Sequence, residues 1–150
     1  MKTKALDLTR QFPRSPREKL GGYVHLTRMI DKARAKAAGT VGEYIYPCPL
    51  DQALLEFLNV SADAFYDAAQ TRDDRELLVW LKENAKPRSP TEIEEWNQTF
   101  LNRKPRNEES LRRFIEIRNR LAPQRTDITA WPDLLDLEEG REVPVRAAGG

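Results

Sequence analysis

Residues 13–47 read PRSPREKLGGYVHLTRMIDKARAKAAGTVGEYIYP, and the fold turns on how far a helix runs through them. Ser15-Pro16-Arg17-Glu18 carries three helix-start signals. Ser15 can cap the free N–H groups of a first turn, Pro16 has no N–H to leave unpaired, and Glu18 suits the positive helix end. The pattern predicts a helix from Pro16 to about Ala38, stopped by Gly39 in the left-handed region. Leu20, Val24, Ile30, Ala33 and Ala37 then form its apolar stripe. Within such a helix Gly21 and Gly22 each cost about 1 kcal/mol against alanine, which predicts a close contact at that point. A close helix crossing is preferred there over contact with a ligand.

A second face of the same helix carries Gly21, His25, Arg28 and Lys32, and Asp31 stands three residues from both Arg28 and Arg34. A histidine beside an arginine and an aspartate can move protons or grip an anion. The plainer reading, preferred here, is a solvated basic face with intrahelical ion pairs. Gly39-Thr40-Val41-Gly42 resembles a phosphate loop but follows a helix, so its neighbour is the negative helix end and phosphate binding is disfavoured.

A chain of 150 residues is one domain by length. Charged residues make up 33% of it and 10 prolines punctuate it, as expected of short helices in a soluble protein. No apolar run approaches the roughly 20 residues of a membrane span. The N-terminus MKTKALDLTR lacks the apolar core of a secretory signal. One cysteine makes no internal disulfide, so a reducing cytoplasm is expected. The net charge of +1 hides alternating blocks: +7 over residues 1–38, −7 over 39–102, +5 over 103–126 and −4 over 127–150. Blocks that cancel predict charge complementarity inside the fold.

Along the remainder, residues 1–13 read as a leader, with Leu6, Leu8 and Phe12 tucked on the core and Leu6–Thr9 able to pair as a short edge strand. Val41–Tyr46 is β-prone and stops at Pro47-Cys48-Pro49. Helices are predicted over Leu50–Leu58, over Ser61 to Gln70, from Asp73 to Asn84, from Ser89 through Leu101, over Asn107–Leu121 with Leu111, Phe114, Ile115 and Leu121 inward, and over Asp133–Glu139. The single helical domain then covers 14–139, and 140–150 is a flexible tail.

Candidate chemistry is sparse. One cysteine and one histidine do not meet zinc's usual ligand set, so neither metal nor cofactor is expected. Cys48 activated by His25 would make a nucleophile, but a small buried cysteine is the ordinary reading. Basic segments 16–38 and 108–121 could form a nucleic-acid patch if their cationic faces lay side by side. No recognised motif accompanies them, and nucleic acid is disfavoured. Aromatic residues could line a pocket. The candidate ligand site gathers His25, Arg28, Asp31, Lys32 and Tyr44 with Trp96, Asn97, Asp127 and Trp131, Arg28 holding an anionic group and His25 donating a hydrogen bond.

The string RSPREKLGGYVHLTRMIDKARAKAAGTVGEYIYPCPLD, continuing through PRSPTEIEEWN to TDITAWPDLLDLEEGR, resembles a bacterial family known as DUF5069, a domain of unknown function. The resemblance runs from about Leu8 to Arg141, and RSPRE…LGG…IDK…R is its most specific part. It implies a compact stand-alone domain and carries no activity across. The sequence therefore predicts an all-α single domain of about six or seven helices, with at most a minor strand pair. A non-enzymatic binding or regulatory module is expected, with a small anionic ligand or a protein as its partner. The rival readings are an enzyme or sensor acting through His25 and Arg28, and a nucleic-acid binder.

Overall fold

The computed structural model describes residues 5–145. Among them are seven helices and one pair of two-residue strands, so the fold is helical, with a minor hairpin. The elements in chain order are β1 (Lys19–Leu20), β2 (Tyr23–Val24), α1 (Leu26–Ala38), α2 (Pro49–Leu58), α3 (Ala62–Gln70), α4 (Asp74–Asn84), α5 (Pro90–Leu101), α6 (Glu108–Leu121) and α7 (Trp131–Glu138). The chain divides into two compact units, residues 1–93 and 94–150, the boundary falling within α5.

The opening stretch corrects the expected helix. Ser15 does cap a turn, its Oγ accepting from the Arg17 N–H and its carbonyl from the Glu18 N–H, but the turn goes no further. Gly21 and Gly22 take positive φ values of 60° and 88° and close an antiparallel hairpin with Leu20 opposite Tyr23 and Lys19 opposite Val24. Two consecutive left-handed residues are what a tight two-residue hairpin turn needs, and Gly-Gly supplies them without steric cost. The glycines that looked costly inside a helix are the reason there is no helix here. The close approach they mark is to α4: a Cβ on Gly21 would lie 2.6 Å from Leu78 Cδ2.

Helix α1 starts only after His25, itself left-handed at φ 70°, and ends at left-handed Gly39 as expected. It is the centre of the first unit. Leu26, Met29, Ile30 and Ala33 are fully buried, whereas Ala37 is exposed and Ala35 takes the inward position. Helix α1 packs along α3, and α3 meets α4. The later caps are those the sequence predicts. Ser61 accepts from the Ala64 N–H, and Asp73 and Glu76 exchange hydrogen bonds with each other's backbone, as do Ser89 and Glu92.

The leader forms a turn over Leu8–Arg10 instead of an edge strand. Leu8 is buried and its N–H bonds the Thr40 carbonyl, while Phe12 stays exposed. Val41–Tyr46 contains turns and no strand; Tyr46 is buried and its hydroxyl donates to the Ala62 carbonyl.

In the second unit α6 packs on α7 around Phe114, Ile128, Leu134 and Val143. Phe114 meets Trp131 edge to face at 5.1 Å. Leu111 and Leu121, expected inward, are each 47% exposed. Helix α7 begins at Trp131, two residues before the predicted start. Of the expected tail, Arg141 pairs with Asp136 and Glu139, and Val143 is in the core. Residues 146–150 of that tail, and 1–4 of the leader, lie outside the described residues.

Candidate functional site

The polar residues expected on an outer face of α1 are inside the first unit. His25, Arg28, Asp31 and Lys32 are each at most 4% exposed, so the preferred solvated basic face is corrected. Two carboxylates arriving from other helices organise the charges here: Asp51 meets His25 and Lys32, and Asp74 meets Arg14 and Arg34.

The first cluster centres on Asp51, the third residue of α2. Its Oδ1 lies 2.7 Å from His25 Nε2, and its Oδ2 accepts from Lys32 Nζ at 2.7 Å and from the Cys48 N–H at 2.9 Å. Lys32 Nζ also donates to Cys48 Sγ at 3.1 Å. His25 and Lys32 reach one carboxylate because seven residues are two helical turns, which returns both to the same side of α1. The last bond belongs to helix capping: Cys48 holds the N-cap position, Pro49 opens the helix, and Asp51 reaches back to the cap backbone.

Burial by itself would raise the Asp51 carboxyl. The His25 hydrogen bond and the Lys32 ammonium outweigh it and hold the group well below the usual carboxylate range. Burial pushes the His25 imidazole the other way, below its ordinary value, more strongly than Asp51 pulls it up. The cluster is thus a buried Lys32–Asp51 ion pair of zero net charge with a neutral imidazole donating from Nε2. Cys48 is the one residue of the four that is partly exposed; His25, Lys32 and Asp51 are buried.

The second cluster is a lattice of two arginines and two aspartates. Arg14 donates to both oxygens of Asp31, from its main-chain N–H at 2.9 Å and from its guanidinium at 3.0 Å, and reaches Asp74 at 2.7 Å. Arg34 meets the other Asp74 oxygen at 3.1 Å and donates to the carbonyls of Ala69 and Arg72. Burial opposes the charge of Arg14, but Asp74 and Asp31 more than offset it; the carboxyl of Asp74 is held low in return by Arg14 and Arg34. Asp31 therefore pairs with Arg14, where the spacing predicted Arg28 or Arg34. Arg28 donates to the Arg14 carbonyl and lies 5.6 Å over the Tyr44 ring.

Of the nine residues proposed from the sequence, His25, Arg28, Asp31, Lys32 and Tyr44 belong to the first unit, where His25 joins Lys32 through Asp51 and Arg28 joins Tyr44. The other four are in the second unit. There Trp96 stacks on Phe100 at 5.0 Å, Asn97 is buried, Trp131 packs on Phe114, and Asp127 forms a two-pronged pair with Arg125 at 2.9 Å.

Sequence reasoning missed Asp51, Arg14 and Asp74. A signal for Asp51 was present: Cys48-Pro49-Leu50-Asp51 has the spacing of an N-cap and its reaching acid, with proline at the first helical position. Nothing comparable announces Arg14 or Asp74, whose partners are 17 and 60 residues away in the chain. Among the described residues no three His, Cys, Asp or Glu side chains converge as metal ligands would, and no helix is long and apolar enough to cross a membrane.

The model of a family described as a domain of unknown function, DUF5069, matches residues 10–141. No curated protein matches the chain.

Proposed function

The chain belongs to the DUF5069 family, and from that premise, which brings no activity with it, we propose a non-enzymatic regulatory module that works through the Cys48 thiol. The observation that carries this reading is the Lys32 ammonium 3.1 Å from Cys48 Sγ, itself held from behind by Asp51. A cysteine beside a lysine at a helix N-terminus is the setting in which protein thiols react.

The proposed signal is a hydroperoxide. The Cys48 sulfur attacks one peroxide oxygen; an S–O bond forms as the O–O bond breaks, and the thiol proton leaves on the departing alcohol or water. Sulfur is oxidised and the peroxide reduced. Lys32 then divides its hydrogen bonds between the new oxygen and Asp51, so the change at the surface reaches the ion pair that joins α1 to α2. Two small thiols restore the resting state: the first releases water and forms a mixed disulfide, and the second displaces Cys48 from it. Turnover of a substrate is not part of this reading, because His25, the natural proton carrier, is fully buried behind Asp51.

The test is trapping of sulfenic acid by dimedone after hydrogen peroxide, read by mass at Cys48. The folded chain is expected to react faster than the same chain in urea, and Lys32→Arg more slowly than wild type. A folded Cys48 that reacts no faster than the unfolded one makes it a packing residue and ends the proposal.

A further inference from the structure

A cleft of about 410 Å³ opens in the first unit between the hairpin and the C-terminal half of α4, a volume in the range of small-molecule sites. Its apolar surface comes from Tyr23, Leu78 and Leu81, and its cations are Lys82, Lys86 and Arg88. No carboxylate lines it. Lys82 lies in the last turn of α4 and Lys86 follows the helix; both are exposed, and among the described residues neither ammonium has a hydrogen bond or ion pair. Arg88 is committed elsewhere, donating to the Phe57 carbonyl at 2.9 Å, lying 4.2 Å over the Phe57 ring and standing 3.5 Å from Glu92.

The cleft owes its shape to the Gly-Gly turn. Gly21 lets the hairpin approach Leu78 to a distance no side chain would allow, and Tyr23 lines the cleft together with Leu78 and Leu81. Tyr23 is half-buried, and its hydroxyl has no hydrogen-bond partner among the described residues. Two uncommitted ammonium groups, one uncommitted phenol and an apolar wall thus face one space.

We propose that this cleft binds a phosphate monoester of an apolar alcohol. Two point charges without a counter-ion match a dianionic head, and lysines suit phosphate as point charges. The Tyr23 hydroxyl adds a neutral donor, and the apolar wall accepts the organic body. The site is independent of Cys48 and of the function proposed above.

Phenyl phosphate is the probe, titrated into the full chain by calorimetry, with benzoate and inorganic phosphate beside it. Phenyl phosphate is expected to bind more tightly than either. Lys82→Glu and Lys86→Glu should each weaken it by about tenfold or more, the loss of one charge-assisted contact. Cys48→Ser, and Lys104→Glu in the second unit, should leave it unchanged. Equal binding of phenyl and inorganic phosphate removes the apolar subsite. Tighter binding of benzoate makes the head group wrong. Binding that survives both lysine reversals, or no binding at millimolar phenyl phosphate, overturns the proposal.

Discussion

Helices α1 and α6 have similar composition and opposite fates. Both are rich in arginine or lysine, and both were candidates for one basic surface. In α1 nine of thirteen residues are buried, Arg28, Asp31 and Lys32 among them. In α6 only Phe114 is, and Arg112, Arg113 and Arg120 are exposed, with no ion pair among the described residues. The difference is not in the helices. Asp51 meets Lys32 and Asp74 meets Arg34 on α1, whereas among the described residues no carboxylate forms an ion pair with an arginine of α6. Counting cations on a helix therefore says little about which way they point; what matters is whether a carboxylate held by another element can meet them. Arg28 and Lys32, counted as part of a basic surface, are inside the first unit.

The comparison can be broken most directly at its ion pairs. Lys32→Met leaves Asp51 charged and buried, and should cost about 3–5 kcal/mol in urea denaturation. Equal tolerance of Lys32→Met and of Arg112→Met would show that burial of the α1 charges is energetically empty.

The entrances to the two helices give the next test. Helix α1 is entered through the left-handed hairpin, α6 through Asn107, whose side chain accepts from the Ser110 N–H. Gly22→Ala forces a left-handed alanine, a cost of roughly 1–2 kcal/mol, although its Cβ meets nothing closer than Ile93 at 3.8 Å. Gly21→Ala should cost more, because Leu78 must also move. Asn107→Ala should cost about 1 kcal/mol. Gly22→Ala stabilising the protein, as a helix interior would require, would refute the hairpin.

Acid should separate the two helices as well. The folded His25 takes up a proton only below its ordinary value of 6.5, so the unfolded chain gains protons first. Stability should fall as pH drops below about 6.5. The single histidine makes this slope assignable: His25→Asn, which tolerates the left-handed backbone, should flatten it. Asp51 adds a second decline. Its stabilisation is complete above the unfolded value of 3.8 and is lost as pH falls toward the lower folded value. A denaturation midpoint that stays flat from pH 7 to 4 in wild type would contradict a buried neutral histidine.

The smallest effects belong to α6, where Arg112→Met and Arg113→Met should each stay within about 0.5 kcal/mol of wild type. A larger cost would mean that α6, too, uses its charges internally.

Much of the fold was legible because helix caps are local. Ser61, Asp73, Ser89 and Asn107 each sit within three residues of the N–H they satisfy, and each marks a true helix start. The same logic overreached at Ser15, where a genuine cap begins a single turn. The decisive signal is Gly-Gly between Lys19-Leu20 and Tyr23-Val24: two glycines that are a defect inside a helix are what a two-residue hairpin turn requires. At the site the sequence pointed to His25 and Lys32 but not to their shared partner. Which carboxylate meets a lysine 19 residues away is settled by tertiary packing, and periodicity carries no record of it.

One consequence of Asp51 concerns the order in which the molecule comes apart. Its carboxylate ties off the first turn of its own helix and also anchors the side chains of α1. Most helix ends fray by themselves, and their first amides exchange with solvent quickly. Here the cap of α2 is released only when the grip on α1 is released. The Cys48 and Gln52 amides, bonded to the Asp51 side chain and the Cys48 carbonyl, should therefore exchange hydrogen with the slow, cooperative opening of the whole first unit, at a rate shared with the amides in the middle of α1.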